Sequence, residues 1–237
     1  TYTKIYHKKG FCPVCSSETI FFSPDDWYRD HLHCRNCNSI PRNRALFHIL
    51  NTIDNNWKSK RIHESSPNNR YFADVVCDYT FSQFYPDEKL GEMITGTRNE
   101  NLEKLTFHNG EFDYFFTLDV LEHVFNPDIA IKEMLRVVND HGAVVFTVPI
   151  HKHYESSVQR AKLDKNNKTI HLLPENYHGN PVGDGKSLVT WDYGQDFKSL
   201  VQNWIGKNYE ISIFNEPIEQ YGIIGDYLDV IVIRKLR

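Results

Sequence analysis

The 237-residue sequence contains no apolar run near the roughly 18 residues that a membrane helix requires. Its opening, Thr1 to Gly10, is polar and basic with no hydrophobic segment behind it. The chain begins without Met, and the stretch reads as neither an anchor nor a secretory signal, so a cytoplasmic location is expected. An excess of positive charge is also missing. The formal net charge is -4, which argues against broad, nonspecific nucleic-acid binding and favours small or neutral substrates. Cysteine is scarce, with five in all, and four of them fall within the first 37 residues. What is present is ample material for a core: 40% hydrophobic and 14% aromatic residues, enough for one large domain or a moderate domain plus a small module.

Cys12, Cys15, Cys34 and Cys37 form C-x2-C-x18-C-x2-C, a spacing that reads as a zinc site. Each pair can turn a knuckle that aims two thiolates at one ion, and two knuckles complete a tetrahedron. Four protein ligands leave no open coordination position, so the metal is expected to hold the fold and not to activate water. Two disulfides and a four-sulfur iron site are the competing explanations. The lone fifth cysteine, Cys77, in a predicted helix, favours metal over disulfides. His31 and His33 flank Cys34 as substitute ligands or surface histidines. The aromatic stretch Ile20 to Tyr28 reads as a hairpin or loop packed over the metal. Pro41 then opens a helix, where Arg42 and Arg44 either bind an anionic substrate or lie on a solvated helix start.

The richest segment runs from Phe112 to Val124, continues through Asn126-Pro127, and closes at Gly142 to Pro149. An apolar, aromatic run ends in acids and a histidine. Pro127 opens an amphipathic helix, Gly142 ends it, and a second β-branched run begins. The pattern predicts a strand, a crossover helix and a parallel strand, with Asp119 to His123 at the carboxyl edge where open sheets bind ligands. Read without further context, the same pattern fits any doubly wound βαβ unit with acids solvated at a strand end.

This block resembles the late core of class I S-adenosylmethionine-dependent methyltransferases. In those proteins an FD-containing strand leads to VLEHV and a proline, a helix ends in E-x-x-RVL before a glycine pair, and the next strand ends in proline. Glu133, Arg136-Val137-Val138 and Gly142 are the counterparts here. The resemblance implies an α/β fold, a doubly wound, mostly parallel seven-stranded Rossmann-like sheet, behind a small zinc ribbon-like module. Residues 1–57 are assigned to that module and its linking helix. Residues 58–237 are assigned to the methyltransferase domain, with an insertion at 154–189.

By that resemblance Lys60 to Pro67 hold the first strand and the cofactor turn. The family places an acid before G-x-G-x-G; this chain has Glu64, then Ser65, Ser66 and Pro67, and no glycine. A helix is predicted over Asn69 to Cys77 and a second strand over Tyr79 to Phe84. No carboxylate ends that strand, so Ser82 or Gln83 would have to grip the ribose. Asn101 and Leu102 match the segment that holds the adenine, Asn101 also being a plausible turn residue. His108 to Glu111 reads as a tight turn.

A hydroxyl acceptor must lose a proton, and a histidine near neutrality or paired with a carboxylate is the natural base. Asp119, Glu122, His123, His151 and His153 are the candidates at the sheet edge. Asp119, His123 and His151 are assigned to catalysis, Asp119 also to the cofactor, and His153 to substrate. In the polar insertion, Pro174 to Pro181 presents Tyr177 and His178, either an ordinary surface loop or a closure over the acceptor. A helix is expected through Trp204 to a stop at Gly206, and a terminal antiparallel pair at Tyr209 to Phe214 and Tyr227 to Ile233. The resemblance extends to a bacterial subgroup linked to surface-polysaccharide or secondary-metabolite pathways, which implies methyl transfer from S-adenosylmethionine to a sugar or small-molecule hydroxyl. The alternatives are an rRNA methyltransferase and a non-catalytic scaffold. The expected cofactors are S-adenosylmethionine and structural zinc. The expected partner is a small-molecule or glycan acceptor, with neither nucleic acid nor membrane, and the oligomeric state is not legible.

Overall fold

The computed structural model describes residues 6–179 and 185–236. Asn180 and Pro181, part of the turn-forming run in the insertion, lie outside them, as does the start of the opening segment. The chain divides into two compact units. One comprises residues up to Lys58 together with Ile213–Val230, and the other comprises Ser59–Ser212 with Ile231 onward. The return segment Ile213–Val230, which the sequence reading left in the second domain, is thus compact with the cysteine module.

In the first unit, β1 (Tyr6–Cys12) and β2 (Ser17–Ser23) form an antiparallel hairpin whose turn carries the first knuckle. A one-turn helix α1 (Tyr28–His31) and the short β3 (His33–Cys34) follow, β3 pairing with β2. Helix α2 (Pro41–Ile53) starts with proline at its first position, and Asn43 Oδ1 accepts the Ile40 N–H at 3.2 Å. Its face of Ala45, Leu46, Phe47, Ile49 and Leu50 is buried, with Phe47 edge-on to Trp57 at 5.4 Å. Arg44 is neither solvated nor available to an anion. It is fully buried, donates to the carbonyls of Leu32, Ser39 and Gly222, and lies 4.5 Å over the Phe21 ring. A three-way carbonyl knot of this kind needs the planar fork of arginine.

The second unit carries β4 (Arg61–Ser65), β5 (Asp78–Gln83), β6 (Met93–Ile94), β7 (Thr97–Asn99) and β8 (Phe112–Leu118). Next come α3 (Pro127–Val137), β9 (Val138–Thr147), and small strands β10 (Val158–Gln159), β11 (Ala161–Leu163), β12 (Thr169–His171), β13 (Tyr177–Gly179), β14 (Lys186–Leu188) and β15 (Trp191–Asp192). Helix α4 (Phe197–Ile205), β16 (Tyr209–Phe214) and β17 (Val230–Lys235) complete the order. The main sheet has eight strands in the order β16-β17-β9-β8-β4-β5-β7-β6. The strand beyond the expected seven is the two-residue β6, an antiparallel hairpin partner of β7. Pairs β4/β5, β4/β8, β5/β7 and β8/β9 are parallel. Strand β8 is buried almost throughout, as an unbroken apolar run in a central parallel strand should be. Among the described residues the insertion contributes to three two-stranded ribbons, β10-β15, β11-β12 and β13-β14, with β15 just past its end.

Two expectations are corrected. Helix α3 ends at Val137, and Gly142 lies inside β9, not at a helix stop. The β8/β9 register shifts between Phe112 and Tyr114, and a Cβ on Gly142 would stand 1.9 Å from the Asp113 carbonyl oxygen. The glycine permits close approach at a bulge. Asn69 to Cys77 is no helix. It makes one turn, with Asp74 N–H on Arg70 O at 3.1 Å and Val76 N–H on Phe72 O at 2.9 Å, and Phe72 is buried against Phe116 at 4.9 Å. A connection this short, opened by Pro67 and two asparagines, spends its length on reversing direction. Cys77 is accordingly exposed in a loop. At the other end α4 stops at Gly206, φ 76°, as expected. No helix among the described residues is long and apolar enough to cross a membrane.

Candidate functional site

The four knuckle cysteines converge, with all four Sγ atoms within 4.8 Å of one another. Cys12 and Cys37 are 3.7 Å apart and Cys15 and Cys34 are 3.9 Å apart. A disulfide needs about 2.05 Å, whereas sulfurs tetrahedral at about 2.3 Å from one ion stand about 3.8 Å apart. The set therefore fits a zinc ion better than a pair of disulfides. Thr19 Oγ1 lies 3.3 Å from Cys34 Sγ and Ser39 Oγ 3.4 Å from Cys12 Sγ, hydroxyls placed to support thiolates. His31 is turned away, Nδ1 at 2.8 Å from Asp25. Arg42, assigned to substrate, stands 3.7 Å from Asp30 within the same unit.

At the end of β4, alternation puts Glu64 and Tyr79 on one face of the sheet and His63, Thr80 and Ser82 on the other. Glu64 is 1% exposed. Its Oε2 accepts the Tyr79 hydroxyl, while Oε1 has no partner among the described residues. Burial pushes the carboxyl up to about 7, against the smaller opposing pull of the Tyr79 hydroxyl. Ser65 is buried, and Ser66 has φ 54°, the left-handed region that glycine occupies without strain, with its N–H on Ser82 O at 2.8 Å. The Ser82 hydroxyl is engaged by His63 Nε2 at 2.9 Å, on the face away from Glu64. His63, pushed down to about 3 by burial, with Arg98 adding to the effect, is packed among Phe107, Phe112 and Phe115. Asn101 uses Oδ1 to accept the Glu103 N–H at 2.8 Å, a turn role, and Leu102 is buried beside it.

Strand β8 ends in a second strained residue. Asp119 has φ 51°; its N–H reaches Thr147 O at 3.1 Å and its Oδ1 accepts the Thr147 hydroxyl at 2.9 Å. Beyond it a 3-10 turn, Leu121–His123, buries Glu122. Glu122 Oε1 is 3.8 Å from His123 Nε2 and 3.7 Å from His178 Nδ1, and its Oε2 has no partner among the described residues. After β9, the His151 N–H bonds Tyr193 O at 2.8 Å and its Nε2 stands 3.9 Å from Asp192 Oδ1. Asp192 is held by Arg160 at 2.5 Å. Burial lowers the His151 pKa, with Asp192 opposing. His153 packs on Tyr154 at 4.3 Å and on His151 at 5.4 Å. Of the insertion pair, His178 joins this cluster, whereas the Tyr177 hydroxyl donates to Glu175.

The structure thus gathers Glu122, His123, His151, His153 and His178 at the ends of β8 and β9, and holds Glu64, Ser65 and Ser66 at the end of β4. Sequence reasoning missed Asp192 and Arg160 behind His151, and Tyr79 beside Glu64. The last had a signal, because Tyr79 lies opposite Ile62 in a parallel pair and so shares the face of Glu64.

Residues 72–146 match the family model of a methyltransferase domain. The match spans β5 to β9 and begins after the glycine-free turn. No curated protein sequence matches the chain. Among solved structures, the PH0226 protein from Pyrococcus horikoshii OT3 is similar in fold, with 13% identity and TM-score 0.50 over 83% of this chain and 90% of that one. A complex of DhpI with SAH shows 13% identity and TM-score 0.49 over 82% and 84%. An S-adenosylmethionine-dependent methyltransferase from Mesorhizobium loti shows 12% identity and TM-score 0.47 over 80% and 96%. Residues 72–146 are thus similar to a methyltransferase domain, set in a Rossmann-like sheet, and a four-cysteine cluster lies ahead of them in the sequence.

Proposed function

We propose that the protein transfers the methyl group of S-adenosylmethionine to a hydroxyl of a sugar or other small molecule, and that its cysteine cluster binds structural zinc. The observation that carries the reading is the end of β4. A buried carboxylate oxygen of Glu64 lacks a protein partner, and beside it Ser66 accepts the backbone conformation that the family gives to glycine. An orphaned acceptor in that place suits a donor group of a ligand, since leaving it unmet costs about 1–3 kcal/mol. Glu64, Ser65, Ser66 and Pro67 would hold the cofactor's amino-acid end. Asn101 and Leu102 would meet its adenine, with the Asn101 amide nitrogen still to be used. Asp119 would complete the seat from β8. Ser82 faces the other side of the sheet, so the ribose falls to Gln83.

When bound, the cofactor supplies a sulfonium methyl that needs alignment more than activation. The chain's own work is to hold the acceptor in line and take its proton. His151 Nε2 is the base favoured by its surroundings, because Asp192, fixed by Arg160, offsets the charge that the imidazole gains. His123 and His153 line the approach, and His178 closes it from the insertion. The net charge of -4 supports a neutral acceptor over RNA.

The test is transfer of labelled methyl from S-adenosylmethionine to a panel of sugars, glycans and ribosomal RNA. Labelling of a hydroxyl on a sugar, reduced at least about 100-fold in His151→Ala, is the expected result. Labelled RNA alone would replace the acceptor, and no labelling with any acceptor in protein that ignores the donor would replace the enzyme with a scaffold.

A further inference from the structure

We propose a second metal site in this protein, a divalent transition-metal site made by Glu122, His123 and His178 at the carboxyl edge of the sheet. It rests on the side-chain geometry alone and stands apart from the methyl-transfer reading. The three side chains each offer one ligand atom, and these atoms lie within 4.8 Å of one another.

The separations do not suit direct hydrogen bonds. His123 Nε2 and His178 Nδ1 stand 3.8 and 3.7 Å from Glu122 Oε1, beyond the roughly 2.7–3.2 Å of an N–H···O bond. Ligands at about 2.0–2.2 Å from a shared tetrahedral ion are about 3.4 Å apart, so each glutamate–histidine edge needs a contraction of only a few tenths of an ångström. Glu122 is 1% exposed, and its second oxygen, Oε2, has no partner among the described residues. A buried carboxylate in that state calls for a cation.

The orientation of His123 is the independent observation. Its Nδ1 lies 2.8 Å from the Leu188 carbonyl oxygen, which fixes Nδ1 as the donor and leaves the lone pair on Nε2, the atom that faces Glu122. A ligating histidine is characteristically held this way by a backbone carbonyl. Leu188 lies in β14, whose partner β13 supplies His178, with His178 opposite Ser187. One ribbon therefore both orients the first histidine and delivers the second. Thr190, just beyond, ties the ribbon to the turn through its N–H and hydroxyl on Glu122 O at 2.8 and 3.0 Å. The two rings meet at 89° with centroids 5.1 Å apart, so they do not stack across the gap.

Two imidazoles and one carboxylate select a borderline cation such as Zn2+, Co2+ or Fe2+ over Mg2+ or Ca2+, which prefer all-oxygen shells. Three protein ligands leave a position open for an oxygen donor, unlike the closed four-cysteine set.

The experiment is a Co2+ titration of the full chain carrying a single equivalent of zinc, which the four thiolates take in preference to the histidine cluster, followed by d–d absorption and by metal analysis after desalting. The wild type is expected to take one Co2+ beyond its zinc, with a visible spectrum lacking thiolate charge-transfer bands. His178→Ala, an exposed side chain whose loss leaves the fold intact, should weaken that uptake at least about tenfold while zinc stays at one per chain. Glu122→Gln should do the same, and His141→Ala, outside the cluster, should change nothing. A zinc-loaded protein that takes up no Co2+, or uptake equal in wild type and His178→Ala, would overturn the site.

Discussion

Ser66 shows how the turn after β4 holds a left-handed residue without glycine. Serine in the left-handed region costs about 1–2 kcal/mol; Ser66→Gly removes that strain but adds chain entropy to the unfolded state of about 0.5–1 kcal/mol. Urea unfolding should therefore find Ser66→Gly neutral to slightly stabilising, and the β-branched Ser66→Val clearly destabilising. Glu64 gives a pH signature. Burial pushes its carboxyl up to about 7 in the folded protein from an ordinary 4.5, so the folded state binds the proton more tightly. Stability is undiminished below about pH 4.5, falls as pH rises to about 7, and is level above that. Glu64→Gln should accordingly gain up to about 3 kcal/mol over wild type at pH 8 and nothing at pH 4, read as urea midpoints. That Glu64 and Ser65 end the first strand of the sheet was legible by reading backward from the Phe112 to Val124 block. The face that Ser82 takes was not, since it depends on which neighbour claims the hydroxyl, and His63 does.

Elements were most legible where a sequence period was long. Strand β8 and the buried face of α3, with Ala130, Ile131, Met134 and Val137, follow directly from apolar spacing. The end of α3 was misread because a glycine after a helical run has two uses, a stop or a close approach, and only the facing strand decides between them. Here the Asp113 carbonyl decides it. Gly142→Ala should cost about 3 kcal/mol by overpacking the β8/β9 bulge, measurable as a lowered unfolding midpoint. The absent helix at Asn69 to Cys77 is a matter of length, because residues that could form a turn of helix are consumed in crossing from β4 to β5. The ribbons of the insertion were not legible at all. Their strands are two or three residues long, too short for any alternation to show.

At the scale of the molecule, two compact units carry different chemistry. The cysteine spacing announced the first because each knuckle is local in sequence. Its inclusion of Ile213–Val230 was hidden, since that tie runs through the Gly222 carbonyl to the buried Arg44. Removing zinc with a chelator should unfold this unit while the sheet unit keeps its far-ultraviolet signal, and limited proteolysis should then cut before Lys58 but not within β8 or β9. The histidine cluster is the opposite case, because His178 reaches Glu122 across more than fifty residues of chain and nothing local forecasts it. Calorimetric titration of the zinc-loaded full chain with S-adenosylmethionine tests the central claim most directly. One site in the micromolar range, weakened at least about tenfold in Glu64→Ala, is the predicted result; no heat up to millimolar donor would contradict it.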